Sequence, residues 1–230
     1  MLSLHTRLQR IVAILQKSNT YLEGERAAEE TGFLSFRPEV LAVAVEELVK
    51  IRPPPGTSID LGCGSGGWLL LAAVAGYDSY GIEIHPGLVE EAERNLAEAL
   101  REGLINPEVK AVIAQGNFYP RSEKEAVLRF RDAHNEHPAS MPWEDTIAWS
   151  DIPITLADAD IVYCWSWPTQ SRFLYNWLER AARRDAIFVL PAYLRYTQGE
   201  HMNASLKEPN RFLLSKLNPD GEVFIGRRVE

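Results

Sequence analysis

The chain has 230 residues, 46% of them hydrophobic and 24% charged, a balance that suits a globular protein with one sizeable core. Its formal net charge of −8 opposes a general affinity for nucleic acid, whose phosphates reward a positive field, although it leaves room for a local basic patch. Two cysteines, Cys63 and Cys164, can build neither a disulfide framework nor a thiolate metal site, and no apolar signal core or bilayer-length run is present, so a cytoplasmic protein with free thiols and no membrane contact is expected.

Leu4, Leu8, Ile11, Val12, Ile14 and Leu15 recur at helical spacing, which predicts an amphipathic helix over 4–17 with Arg7, Arg10 and Lys17 on its polar side. Such a helix suits plain packing, a lid, a substrate arm or a dimer contact, and a homodimer is therefore one arrangement open to the chain. Pro38 and Glu39 fit the first turn of a second helix, whose buried face is Val40, Leu41, Val43, Ala44, Leu48 and Val49. Residues 1–50 read as an N-terminal helical segment of a single domain spanning 1–230. Three successive prolines, Pro53 to Pro55, then lead into the first strand.

The stretch TSIDLGCGSGGW, Thr57 to Trp68, organises the rest of the chain. An apolar run containing Asp60 breaks into Gly62, Gly64, Gly66 and Gly67, and a continuous apolar segment to Ala75 comes next. This is a strand, a tight turn and a helix. Glycines at this spacing let the backbone pass close to a ligand, under the free N–H groups of the next helix. Gly62, Gly64 and Gly67 satisfy GxGxxG, a spelling that dinucleotide folds share, so the letters alone leave the cofactor open.

YGIEI, Tyr80 to Ile84, predicts a second strand, and Glu83 lies sixteen residues beyond Gly67. In a parallel sheet this acid stands beside the glycine turn, where a carboxylate can accept from both hydroxyls of a ribose. His85 and Pro86 open a helix over 87–102, with His85 a loop or cap residue. Val109 to Ala114 is the third strand, followed by Asn117 and Phe118. Residues 119–157 form an inserted loop or cap over the active-site end, with a helix over 123–134 and a Trp-, Pro- and acid-rich remainder including His137, Trp143, Asp145 and Trp149. Loops on a rigid sheet carry recognition, and covering tryptophans also simply pack down. Ala159 to Cys164 is the fourth strand, running into Trp165, Ser166, Trp167 and Pro168. Thr169 to Arg184 is a helix and Ala186 to Leu190 a fifth strand, after which Tyr193 and Tyr196 are candidates for shaping a substrate pocket. Two closing strands, 211–217 and 222–229, flank the strong turn Asn218-Pro219-Asp220-Gly221.

The run Ile59-Asp60-Leu61-Gly62-Cys63-Gly64-Ser65-Gly66 resembles the first motif of the class I S-adenosylmethionine-dependent methyltransferases. The resemblance implies an α/β, Rossmann-like three-layer sandwich with a seven-stranded, mostly parallel sheet and an antiparallel last strand. It implies S-adenosyl-L-methionine as cofactor, with Asp60, Gly62, Cys63, Gly64, Gly66 and Trp68 around the glycine loop that holds the methionine part, Glu83 at the ribose, and Ile84 beside it as a further cofactor-binding residue. Asn117 stands where the family commonly has an acid, and its amide oxygen can accept the same bond from the adenine amino group; Phe118 can pack on the adenine face. Cys164, at the end of the fourth strand, is counted among the cofactor-binding residues. Phe36 and Arg37, with Tyr21 as an alternative, are candidates for closing over the cofactor.

Residues after the fourth strand lie beside the transferred methyl in that family. Here Trp165, Ser166 and Trp167 are the catalytic candidates: their aromatic faces attract a developing cation, and Ser166 can hydrogen-bond. The sequence CWSWP departs from the (N/D)PP(Y/F) of adenine and glutamine methyltransferases. No strong base is fixed, with His137, His201 and Asp145 the candidates if one is used. His134 and His137 lack a third ligand at metal spacing, so no metal is expected. The expected function is methyl transfer to a small molecule or protein side chain. An RNA methyltransferase and a noncatalytic S-adenosylmethionine-binding protein are the alternatives.

Overall fold

The structure, a computed structural model, describes residues 2–24, 36–133, 148–164, 171–191, 212–217 and 223–228. In chain order its elements are α1 (Leu4–Gly24), α2 (Pro38–Ile51), β1 (Thr57–Leu61), α3 (Gly67–Ala75), β2 (Asp78–Glu83), α4 (Pro86–Arg101), β3 (Ala111–Gln115), α5 (Lys124–Ala133), β4 (Ile161–Cys164), α6 (Ser171–Ala181), β5 (Ile187–Pro191), β6 (Phe212–Lys216) and β7 (Val223–Arg228). The strands make one seven-stranded sheet in the order β3-β2-β1-β4-β5-β7-β6. Pairings from β3 through β5 are parallel, and β7 runs against both its neighbours. The expected α/β sandwich with an antiparallel last strand is therefore the observed one.

Side chains alternate along each strand, so the sheet divides its apolar residues between two layers. Ile161, Tyr163, Ile187 and Val189 join a core with α1, α2 and α3, while Val162, Cys164, Phe188 and Leu190 join the other with α6. α3 packs against α1, α2, β1 and β2, and all nine of its residues are buried. A helix apolar all round belongs in such an interior position. α1 runs seven residues past Lys17, because Ser18 and Asn19, polar in the sequence, are buried with hydrogen-bond partners. No described helix is long and apolar enough to cross a membrane.

At the amino end of the sheet an ion cluster ties the strands together. Asp160, just before β4, accepts from Arg52, from Arg183 at 3.0 Å and from the Thr57 N–H at 2.8 Å. Arg183 also grips Asp185 through two bonds of 2.6 and 2.8 Å. The starts of β1, β4 and β5 are thus held by paired charges.

Order reverses between β1 and β4: β2 and β3 lie on one side, β5 on the other. At this switch point the connections leave the carboxyl ends in opposite directions and open a crevice. The glycine turn after β1 stands at its edge.

Candidate cofactor cleft

The turn begins with Gly62 N–H and Cys63 N–H both donating to the Ile82 carbonyl at 2.9 Å, which fastens it to β2. Gly66 N–H then donates to the Cys63 carbonyl at 2.8 Å, closing the turn, and Gly66 caps α3 at φ 87°. An L side chain rarely adopts that angle, and its Cβ would also meet Ala92 at 3.4 Å. A Cβ on Gly67 would overlap the tip of the Phe36 ring, which lies against the backbone there. The cysteine of the motif is a wedge: its sulfur sits where a Cβ on Gly81 of β2 would come within 2.8 Å.

Two buried acids flank the turn. Glu83, 6% exposed at the end of β2, accepts from Gly64 N–H at 2.9 Å through Oε2 and from Ile84 and His85 N–H at 2.8 and 2.9 Å through Oε1. One carboxylate thereby fixes the glycine turn relative to β2 and its own loop. Asp60, 1% exposed, accepts from the Leu69 N–H at 3.1 Å through Oδ2, while Oδ1 is buried without a partner. Burial pushes its carboxyl up to about 8, against the pull of the Leu69 bond and with some help from the Glu83 charge. Burial also drives the thiols of Cys63 and Cys164 up, with the Asp60 charge adding to both. Both stay protonated and poorly nucleophilic at neutral pH.

After β3, Asn117 is 3% exposed and forms a local turn, its Oδ1 accepting from the Tyr119 N–H at 3.0 Å. Its Nδ2 is buried with no partner. The expected adenine-accepting oxygen already holds one bond, and the amide's unmatched group is its donor. The Phe118 ring lies 4.0 Å from where a Gly62 Cβ would stand, and its centroid is 4.5 Å from that of Tyr119 and 6.1 Å from that of Trp177. A 3₁₀ turn at Ala148–Ser150 returns to this loop. Ala148 N–H donates to the Asn117 carbonyl at 3.3 Å and the Trp149 indole to the Phe118 carbonyl at 2.6 Å.

The structure brings Asp60, Gly62, Cys63, Gly64, Gly66, Glu83, Ile84, Asn117 and Phe118 to the carboxyl ends of β1, β2 and β3, with Cys164 paired beside Leu61. Trp68 is a correction. It is 1% exposed, stacks on Tyr163 at 4.8 Å and 4°, and donates its indole N–H to Ser58 Oγ at 2.9 Å. It points down into the core beneath the sheet, because α3 is buried on every side and its first turn faces β1 and β4. The side chains of Cys63 and Cys164 are likewise buried, leaving only their main chains for a ligand. Arg37 is exposed and pairs with Glu39 at 3.2 Å. Trp165, Ser166, Trp167, His134, His137, Asp145, Tyr193, Tyr196 and His201 lie outside the described residues, as does the side chain of Tyr21. Among the described residues no group of three His, Cys, Asp or Glu is placed to hold a metal ion. Sequence reading missed Ser18 and Asn95, buried polar residues that reach the turn from behind; their one signal was a polar residue on an apolar helical face.

A sheet of this order, an antiparallel seventh strand and a glycine turn with an acid at the next strand end define a class I S-adenosylmethionine-dependent methyltransferase. The model of a methyltransferase domain family matches residues 33–181, and the chain belongs to that family. It is similar to a methyltransferase from Geobacter sulfurreducens at 14% identity, covering 93% of this chain and 89% of that one with a TM-score of 0.54. It is similar also to an O-methyltransferase from Bacillus cereus, solved with S-adenosylhomocysteine, at 13% identity over 95% and 91% of the two chains with a TM-score of 0.51. At these identities the likeness is one of fold. No curated protein sequence matches the chain significantly.

The cofactor of this enzyme is S-adenosyl-L-methionine. The residues present suit it. Gly62 and Gly64 are half-buried and lack the Cβ that would crowd a ligand lying on them. The donor set mixes a carboxylate with buried polar atoms that have no protein partner, at Asp60, Ser65 and Asn117. A ligand with hydroxyls, an amine and a heterocycle has complements for such groups.

Proposed function

We propose that the enzyme methylates a small molecule or a protein side chain, with the cofactor lying across the ends of β1, β2 and β3. Glu83 is the ribose acceptor in this reading. Its carboxylate is fixed by three backbone N–H groups, so it is preorganised, and the acceptor capacity left on Oε2 suits a ribose hydroxyl at little reorganisation cost. Gly62, Gly64 and Gly66, with the main chains of Asp60, Cys63 and Cys164, cradle the methionine part. Ile84 and Phe118 supply apolar faces to the adenine, and Asn117 adds the polar contact. Trp165, Ser166 and Trp167, next in sequence after β4, orient the acceptor.

S-adenosylmethionine supplies a methyl on a positively charged sulfur, transferred by direct displacement. The protein's share is to hold donor and acceptor in line and to keep water away. The protonated thiols of Cys63 and Cys164 leave both residues out of any nucleophilic role.

The observation carrying the choice of acceptor is the net charge of −8, which repels a polyphosphate chain and tolerates a metabolite or peptide. Labelled methyl transfer into separated metabolite, protein and RNA fractions tests it. Label is expected in one of the first two; label chiefly in RNA would overturn the acceptor class. Calorimetric titration with S-adenosylmethionine and S-adenosylhomocysteine tests the cofactor placement through Glu83→Ala.

A further inference from the structure

The buried polar side chains of α1 and α4 have no place in the cleft, yet they converge on its glycine turn from behind. Asn95, 5% exposed, donates through Nδ2 to the Ser65 carbonyl at 3.0 Å and to Ser18 Oγ at 3.2 Å. Ser18, 3% exposed, donates in turn to Glu91 Oε1 at 2.7 Å, and Glu91 holds Arg94 on its other oxygen. Asn19 Nδ2 donates to the Phe36 carbonyl at 2.9 Å, and the Phe36 ring lies against Gly67. α1 thus supports the turn at one remove, through Asn95 at Ser65 and through Phe36 at Gly67.

The bond to Ser65 has a specific geometric effect. A peptide unit is rigid and planar, so the Ser65 C=O and the Gly66 N–H point in opposite directions. With the carbonyl held by Asn95, the N–H is aimed at the Cys63 carbonyl, where it makes the 2.8 Å bond that closes the turn. Ala92, three residues before Asn95, stands beside Gly66, within 3.4 Å of where a Cβ there would lie. Buried polar groups of this kind are costly unless every bond is made, and here they buttress a single carbonyl.

We propose that Asn95 and Ser18 are positioning residues for the methionine end of the cofactor, setting the shape of the glycine turn from outside the cleft through the Ser65 carbonyl. This rests on the placement of the methionine part along that turn. Their influence is local to Ser65 and Gly66; the ribose and adenine contacts stand on Glu83, Ile84 and the loop after β3. Loss of Asn95 therefore weakens ligands that carry the amino-acid tail and spares those that lack it.

The test compares wild type, Asn95→Ala and Ser18→Ala by calorimetry with S-adenosylmethionine, S-adenosylhomocysteine and adenosine, alongside thermal melts. Asn95→Ala is expected to weaken both tailed ligands about tenfold while adenosine stays within about twofold. Ser18→Ala, which keeps the Asn95–Ser65 bond but removes its support, shows the same pattern more weakly and serves if Asn95→Ala fails to fold. Lower melting temperatures with an unchanged ratio of tailed to untailed affinity would mean a purely structural role and overturn the proposal alone. A wild-type chain that binds none of the three ligands overturns the cofactor placement itself, and this proposal with it.

Discussion

The two ends of the sheet treat acidic residues in opposite ways. At the amino end Asp160 lies between the guanidiniums of Arg52 and Arg183, and Asp185 is held below its usual range, first by its bonds to Arg183. At the carboxyl end Asp60 and Glu83 are held by backbone N–H groups, and Asp60 keeps one oxygen unmatched. The first arrangement secures strands; the second keeps polar capacity in reserve for a ligand. Local mismatch at one end is tolerated because the other end is saturated.

That contrast predicts different outcomes for changes at the two ends. The largest concerns Asp60. Its carboxyl sits near 3.8 as a free group and near 8 in the fold, so between those pH values the unfolded chain has lost a proton that the folded chain keeps. Stability therefore falls as pH rises through that window, by up to about 1.4 kcal/mol per unit, and levels off above it. Urea melts at pH 5 and 7.5 should show Asp60→Asn gaining on wild type at the higher pH; equal differences at both would refute the burial effect.

Asp160→Ala comes next. It leaves the Thr57 N–H without its acceptor and takes one partner from Arg52 and Arg183, which keep Asp185, at about 2–3 kcal/mol after allowing for the partial exposure of both arginines. Affinity for S-adenosylmethionine should not change, and a loss there would break the division between the ends. Glu83→Ala differs in that it reaches the ligand: about a hundredfold weaker cofactor binding, or about 2.7 kcal/mol, alongside a lower melting temperature because three backbone N–H groups lose their acceptor. Smallest is Trp68→Phe, which keeps a ring on Tyr163 and deletes the bond to Ser58, at about 1 kcal/mol with cofactor affinity intact. Weakened cofactor binding in that variant would restore Trp68 to the cleft.

Much of the scaffold was legible in the sequence because its signals are local. The apolar runs of β1, β4 and β5, the glycines breaking the chain after Leu61 and the Asn218–Gly221 turn signal between the last strands each state their element within a few residues. Glu83 was legible because its distance from the turn is set by one helix and one loop. Trp68 was not, since a helix apolar on all sides has no face that periodicity can single out. Asn117 was half legible: its identity invited an adenine contact, while the bond its oxygen makes to Tyr119 depends on backbone torsions. Ser18 and Asn95 lie 77 residues apart, and only the packing of α1 on α4 joins them.

The return leg of the 119–157 segment touches the cleft at two atoms, the carbonyls of Asn117 and Phe118 gripped by Ala148 and Trp149. For an engineer this marks a splice junction. A change that spares Ala148 and Trp149 keeps the backbone after β3 on these anchors. A change carried through Trp149 would release the Asn117 and Phe118 carbonyls together and loosen the loop after β3.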